Sequence, residues 1–261
     1  MSGLALPVWT LAWREVIRFV RQRSRLTGAL LQPLVFWALL GGGFRASFRV
    51  PGGAEGMSYA EYFYPGVLSL VLLFTAIFSM ISAVEDRQSG FLQGVLVAPI
   101  PRWSIVLGQA LGCTILAVAQ GIVLLALAPL AGVSLTAESA LATTAVMILL
   151  AFCVTGLGLI LAWRLDSTQG FHAIMNLILM PLWLLSGAFF PAEGLPFWLA
   201  ILVKGNPLTY GMAALRRCLY MGRPELVATL PPLGLSIAAT AIFSVLGFAA
   251  AVHAATRKGR G

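Results

Sequence analysis

Few residues in this chain have chemistry to offer, and their spacing does not assemble a reaction centre. The two histidines, His172 and His253, are of a type that relays protons, and Ser186, followed by Gly187, is of a type that attacks carbonyls. Ser186 falls toward one end of its apolar run and His253 toward the opposite end of another, so about 25 Å of bilayer lies between them. A nucleophile and its base must come within hydrogen-bond reach, and the first glycine of an intramembrane protease motif is missing from Leu184–Gly187, so that chemistry is excluded. Neither Lys204 nor Lys258 follows a glycine, which removes the Gly-Lys-Ser/Thr core of a phosphate-binding loop. Cys113, Cys153 and Cys218 have no paired spacing and read as small apolar fillers. No His, Cys, Asp or Glu cluster has metal-ligand spacing. Catalytic residues, cofactors and metal are therefore expected to be absent from this chain.

The elements that carry these residues are membrane helices. Of 261 residues, 59% are hydrophobic and 10% are charged, far from the balance of a water-soluble domain. Six apolar runs reach the length of about 20 residues that a helix needs to cross the hydrocarbon core: 26–44, 62–84, 104–133, 139–163, 170–190 and 232–255. None contains Asp, Glu, Lys or Arg. The expected fold is all-α: a polytopic membrane protein forming one transmembrane domain over 1–261. The net charge of +8 has no water-facing domain to gather on, so it points to orientation rather than to nucleic acid. With a cytoplasmic N-terminus, eleven of the 17 Lys and Arg fall on the inner side, and six spans return the C-terminus there too.

Residues 8–25 have helical periodicity, with Trp9, Ala12, Trp13, Val16, Phe19 and Val20 on one face and Arg14, Arg18, Arg21 and Arg25 on the other. That pattern predicts an N-terminal interfacial helix, its tryptophans at the headgroup boundary and its arginines on anionic lipid; a gating role is the alternative. No small-residue cleavage site closes the first apolar run, so a cleaved signal peptide is not expected. Beyond the fifth span, 191–224 holds an apolar stretch too short to span, Leu195–Val203. It is followed by Asn206 as N-cap and Pro207 as first residue of an amphipathic helix bearing Leu208, Met212, Leu215 and Leu219. Two short helices capping the outer surface, in a re-entrant arrangement, are expected. Polar span residues such as Gln32, Gln109, Gln120, Thr143, Thr144 and Asn176 suit either a transport path or bonds between helices.

The segment 85–98 mixes charge and glycine between two spans. Glu85 and Asp86 suit a first helical turn, Phe91, Leu92, Val95 and Leu96 form a short apolar face, and Pro99 and Pro101 stop the helix. Pattern alone leaves two readings: a peg that enters a groove on a soluble partner, or an interfacial helix.

Two stretches, FSMISAVEDRQSGFLQGVLVAPIPRWSIVLGQALG (78–112) and LSGAFFPAEGLPFWLAILVKGNPLTYGMAALR (185–216), are similar to the permease subunits of type 2 ATP-binding-cassette (ABC) exporters, nearest the drug and lipo-oligosaccharide branches. The resemblance covers the whole chain. It implies a homodimer, or a pair of similar permeases, in a prokaryotic inner membrane, joined to a separate ABC ATPase that binds ATP and Mg. It implies that 85–98 is the coupling helix, with Phe91, Leu92 and Val95 as apolar contact, Glu85, Asp86 and Arg87 as polar rim, and Gly90 giving room for close approach. Pro191, Asn206, Pro207, Tyr210 and Arg216 would shape the outer gate. The cargo it implies is an amphipathic drug, lipid or glycolipid; a passive or scaffold membrane protein is the alternative. Two positions depart from the family pattern: Gln88 stands where an acid is frequent, and Ala213 where an acid commonly accompanies the arginine three positions on, so Arg216 needs another partner.

Overall fold

The longest helix organises all the others. In the computed structural model, which describes residues 2–43, 57–97, 100–189 and 196–257, the chain is helical and has no strand among the described residues. The elements are α1 (Ser2–Arg21), α2 (Arg23–Gly43), α3 (Tyr59–Gln88), α4 (Phe91–Val97) and α5 (Arg102–Ala126), then α6 (Ala137–Ala162), α7 (Thr168–Trp183), α8 (Phe197–Gly205), α9 (Pro207–Leu219) and α10 (Leu233–Arg257). Six of them, α2, α3, α5, α6, α7 and α10, are long and apolar enough to cross a membrane. With 30 residues, α3 is about 45 Å long at 1.5 Å per residue, longer than a hydrocarbon core of about 30 Å. Its final turns therefore carry the polar run Glu85–Gln88 beyond the apolar layer.

Helix α3 is apolar on every side, and a helix of that kind is buried. Within the most apolar stretch of α3, 89% of residues are buried, against 17% for α2 and 28% for α10, which makes α3 the central rod and leaves apolar flanks of the other two exposed. Helices α2, α5, α6 and α7 surround α3, and α9 packs between α6 and α10. Where helices start, short polar side chains take up free amide groups: Ser58 accepts from Glu61 N, Ser167 accepts from Gly170 N, and Thr136 and Ser139 cap each other.

Several boundaries differ from the sequence expectation, for local reasons. The third apolar run does not stay helical to 133: α5 ends at Ala126, and a 3-10 turn at Ala128–Ala131 closes on Gly132, whose φ is 87°. The fifth breaks after Trp183 into a π-type turn at Leu184–Ala188, in which Gly187 has φ 80°. The helix expected from residue 85 is two helices. Glu85 and Asp86 belong to the last turn of α3, and Gly90, at φ 77°, makes the left-handed turn that starts α4, so its role is backbone conformation. Carboxylates at a helix C-terminus are disfavoured by the helix dipole, so these two depend on partners. Pro191 lies outside the described residues.

Candidate functional site

The rod has a charged site at each end. At the α4 end, Asp86 is 3% exposed and holds two guanidinium groups. Arg14 donates to both its oxygens, at 2.5 and 2.9 Å, and Arg18 donates at 2.5 Å. Glu85 accepts from Arg18 at 2.7 Å and from Arg25. Glu15, also buried, accepts from the Ser82 hydroxyl and lies 3.4 Å from Arg14. Three carboxyl groups thus face three guanidinium groups across α1, α2 and α3. Burial pushes the Glu15 carboxyl above its usual range, opposed by the Ser82 hydrogen bond, while hydrogen bonding to Asp86 holds Arg14 above its ordinary value.

Two glycines set α1 close enough for this cluster to form. A Cβ on Gly108 would lie 2.8 Å from Leu11 Cβ and 2.9 Å from Val8 O, and one on Gly112 would lie 2.8 Å from both Ala12 O and Glu15 Cβ. Gly108-x-x-x-Gly112 is the small-residue spacing that lets helix backbones touch. The apolar face expected for the interfacial helix 8–25 is therefore divided: Ala12 and Phe19 face inward together with Glu15, whereas Trp9, Trp13 and Val20 are exposed. Arg14, Arg18 and Arg25 face carboxylates rather than lipid phosphates, and only Arg21 of the four is exposed. The cause is the acidic pair on α3, whose partners the one-helix pattern could not reveal.

The other coupling residues divide. Arg87 donates to Ala162 O at 2.5 Å, to Leu165 O at 3.0 Å and to the Asp166 carboxylate, which caps α6 and ties α3 to the α6–α7 connection; Gln88 donates to Asp166 O at 2.6 Å. Leu92 is buried and Val95 packs on the core, so both anchor α4 to the bundle. Among the described side chains of α4, which leave out Gln93 and Leu96, Phe91, Gly94 and Val97 are outward, the last 85% exposed, and Arg14 lies 3.8 Å over the Phe91 ring. Asp86 and Arg87, expected at a polar rim, are instead engaged inside the protein.

At the opposite end, Asn206 caps α9, accepting from Leu208 N at 3.0 Å with Pro207 as first residue, and donates to Leu182 O at 2.6 Å where the α7 break frees a carbonyl. The Tyr210 hydroxyl donates to Lys204 O at 2.9 Å. Arg216 is 6% exposed; it donates to Gly187 O at 2.8 Å and stacks 4.2 Å over the Tyr62 ring. Nearby, Arg223 pairs with Glu61 at 2.6 Å, and the Tyr220 hydroxyl donates to Glu61 O at 2.6 Å. Helix α9 is mostly buried among α6 and α10, while α8 exposes Phe197, Trp198, Ile201 and Leu202. Glu15, Ser82, Asp166, Glu61 and Arg223 were not singled out from the sequence. The Gly108–Gly112 spacing was a readable signal for the α1 contact, but the others are isolated polar residues with no motif.

The remaining reactive side chains are occupied or scattered. Ser186 donates to Trp183 O at 2.6 Å, and the three cysteines are buried and free. No group of His, Cys, Asp and Glu among the described residues could hold a metal. Gln120 accepts from Thr75 at 2.7 Å, bonding α5 to α3, and Thr144 bonds its own helix.

Six membrane-length apolar helices, one of them a buried rod with ionic ends, define a multi-pass membrane protein. The chain belongs to the ABC-2 type transporter family, whose model matches residues 7–220. It is 29% identical over 212 residues to a chain named as a transport permease, ycf38, of Cyanophora paradoxa, covering 80% of this chain and 72% of that one. It is 30% identical over 154 residues to a chain named as a multidrug ABC transporter permease, YbhR, of Escherichia coli strain K12, covering 58% and 42%. Nodulation protein J of Rhizobium leguminosarum bv. trifolii is 28% identical over 239 residues, covering 86% and 88%. The protein is thus the membrane component of an ABC transporter, a transport subunit of a family that normally pairs with an ABC ATPase.

Proposed function

We propose that this chain is the permease subunit of an ATP-driven exporter that moves an amphipathic drug, lipid or glycolipid outward across a prokaryotic inner membrane. One observation carries the reading. A single unbroken helix, α3, has its last turn clamped by Arg14, Arg18 and Arg25 and tied to the end of α6 by its own Arg87, and its first turns in contact with Arg216, Tyr220 and Arg223. Force applied at α4 would pass along that rod to the far end, because packed helices shift as rigid bodies.

In this reading a separate ATPase, holding ATP and Mg, seats Phe91, Gly94 and Val97 of α4 in a groove, with Gln88 and Ser89 beside them. The α4 end and both termini are cytoplasmic, in keeping with the Lys and Arg bias. Helix α1 rests at the membrane surface with Trp9 and Trp13 outward, and α8 and α9 form the outer re-entrant region. Two copies, or this chain and a similar one, enclose the path, and exposed apolar flanks such as those of α2 supply area for that pairing. The name of the Escherichia coli relative favours drug-like cargo, and that of the Rhizobium relative extends the likeness to nodulation proteins.

Co-expression with a cognate ABC ATPase and reconstitution in vesicles tests the reading. A stable complex whose ATP hydrolysis rises with amphiphile, and in which Val97→Asp abolishes that rise while leaving insertion intact, is the expected result. No complex, or uphill transport by this chain alone, would overturn it.

A further inference from the structure

At the α9 end a cavity of about 300 Å³ opens beside Arg216, at the lower end of the range of about 300 to 1,000 Å³ that small-molecule sites occupy. Its walls include Val203, Met212, Leu226 and Leu230, and no Asp or Glu is among the described residues that line it. Arg216 is a full charge in this apolar wall. No carboxylate pairs with it among the described residues, its Nε has no hydrogen-bond partner, and what holds it is the Gly187 carbonyl at 2.8 Å, the Tyr62 carbonyl at 3.5 Å and the face of the Tyr62 ring. Neutral dipoles and a ring face offset a buried charge only in part. A second lining group, the Thr209 hydroxyl, is likewise buried without a partner, and Lys204 stands exposed at the mouth. Arg223 at this end has a carboxylate partner in Glu61, and Arg217, which is only part-buried, donates to the carbonyls of Leu230 and Pro231 through both Nε and a terminal nitrogen.

We propose that this cavity binds the headgroup of a singly charged acidic amphiphile, a carboxylate or phosphodiester joined to an apolar body, with Arg216 as its counter-ion and Thr209 as a second donor. The guanidinium edge supplies charge-assisted hydrogen bonds, the methionine and leucine wall takes the first carbons of the body, and Lys204 draws the anion to the mouth. This narrows the cargo of the proposed exporter to anions and rests on that reading only for its transport meaning; binding itself needs no ATPase.

The test uses the intact chain in phosphatidylcholine nanodiscs and a decanoic acid carrying a photoreactive diazirine, with labelled peptides mapped by mass spectrometry. Labelling of residues 200–230 is expected, displaced by decanoate but not by decanol or decyltrimethylammonium. Arg216→Gln should lower that labelling about tenfold or more, the range expected when a charged hydrogen-bond partner is removed, and Arg216→Lys should restore most of it. Leu230→Trp, which fills the cavity without touching the guanidinium, should cause the same loss, and this serves if Arg216→Gln fails to fold. Glu193→Gln, which removes the acid nearest in sequence to Gly187 outside the described residues, should leave labelling unchanged. An increase would make that carboxylate the counter-ion and overturn the proposal. So would equal displacement by all three competitors. In phosphatidylglycerol discs, suppressed labelling would name a bilayer phosphodiester as the anion and retained labelling a free amphiphile; either supports an anion site. Charge-blind labelling in a chain that still stimulates its ATPase would remove this site and leave the exporter reading standing, while charge-selective labelling without coupling would do the reverse.

Discussion

The two ends of α3 treat charge in opposite ways. At the α4 end Asp86 and Glu85 hold Arg14, Arg18 and Arg25, so each cation has an acid within hydrogen-bond reach. At the α9 end Arg223 has Glu61, but Arg216, buried like Asp86, has two backbone carbonyls and an aromatic ring and no carboxylate among the described residues. A matched cluster in a dry setting resists separation, because either partner left alone is a buried unpaired charge. An unmatched cation is already in that position and is relieved by an incoming anion. The first arrangement suits a joint that must move as one piece, the second a place that must accept and release something.

The contrast can be broken most severely at Asp86. Asp86→Ala leaves Arg14 with only Glu15, at 3.4 Å, and Arg18 with only Glu85 among the described acids; unpairing a buried ion pair costs at most about 3–5 kcal/mol, so a marked loss of folded protein in size-exclusion thermal scans is expected. A variant as stable as the parent would show that the clamp holds nothing. Next in size is Gly108→Leu, which drives side-chain atoms into Val8 and Leu11. Overpacking of this kind costs about 1–3 kcal/mol, and a cysteine crosslink between α1 and α5 should lose efficiency. If crosslinking is unaffected, close approach does not position the arginines.

Glu15 sharpens the comparison through pH. Its folded value is raised by burial above the ordinary 4.5, so the folded state binds its proton more tightly than the unfolded chain does. The protein is therefore stabilised by this group's proton below 4.5, and that contribution is lost as pH rises through the raised value. Glu15→Gln should flatten that decline in melting temperature measured upward from pH 4.5. A parallel decline in the variant would assign the dependence to another group. The smallest effect on stability is expected from Phe91→Ala, which removes a half-exposed ring and its contact with Arg14, worth about 0.5–1 kcal/mol. The same change should nevertheless reduce ATPase stimulation severalfold, and full stimulation would place the partner's contact elsewhere on α4.

Some of this was legible without coordinates. Length and polarity fixed the six membrane helices, since a charge-free run of that length has no other stable setting, and Asn206 with Pro207 announced the start of α9 because cap and first-turn preferences are local. The stretch from Glu85 to Val97 was recognisable as special, but its meaning was not. A carboxylate pair reads the same at the start of one helix or the end of another, and only the distant Arg14, Arg18 and Arg25 settle the matter, with Asp86 lying 72 and 68 positions along from the first two. Leu92 and Phe91 are adjacent and similar in kind, yet one is core and the other surface, because the turn at Gly90 sets which side of α4 faces the bundle.

What the sequence determined by itself is everything governed by interactions over a few residues or by partition between lipid and water: helices, caps and the number of crossings. Tertiary structure alone decided which charges are matched. Pairing energies depend on distances between segments far apart in the chain, and the same seventeen cations would be consistent with many matchings until packing around α3 selects one.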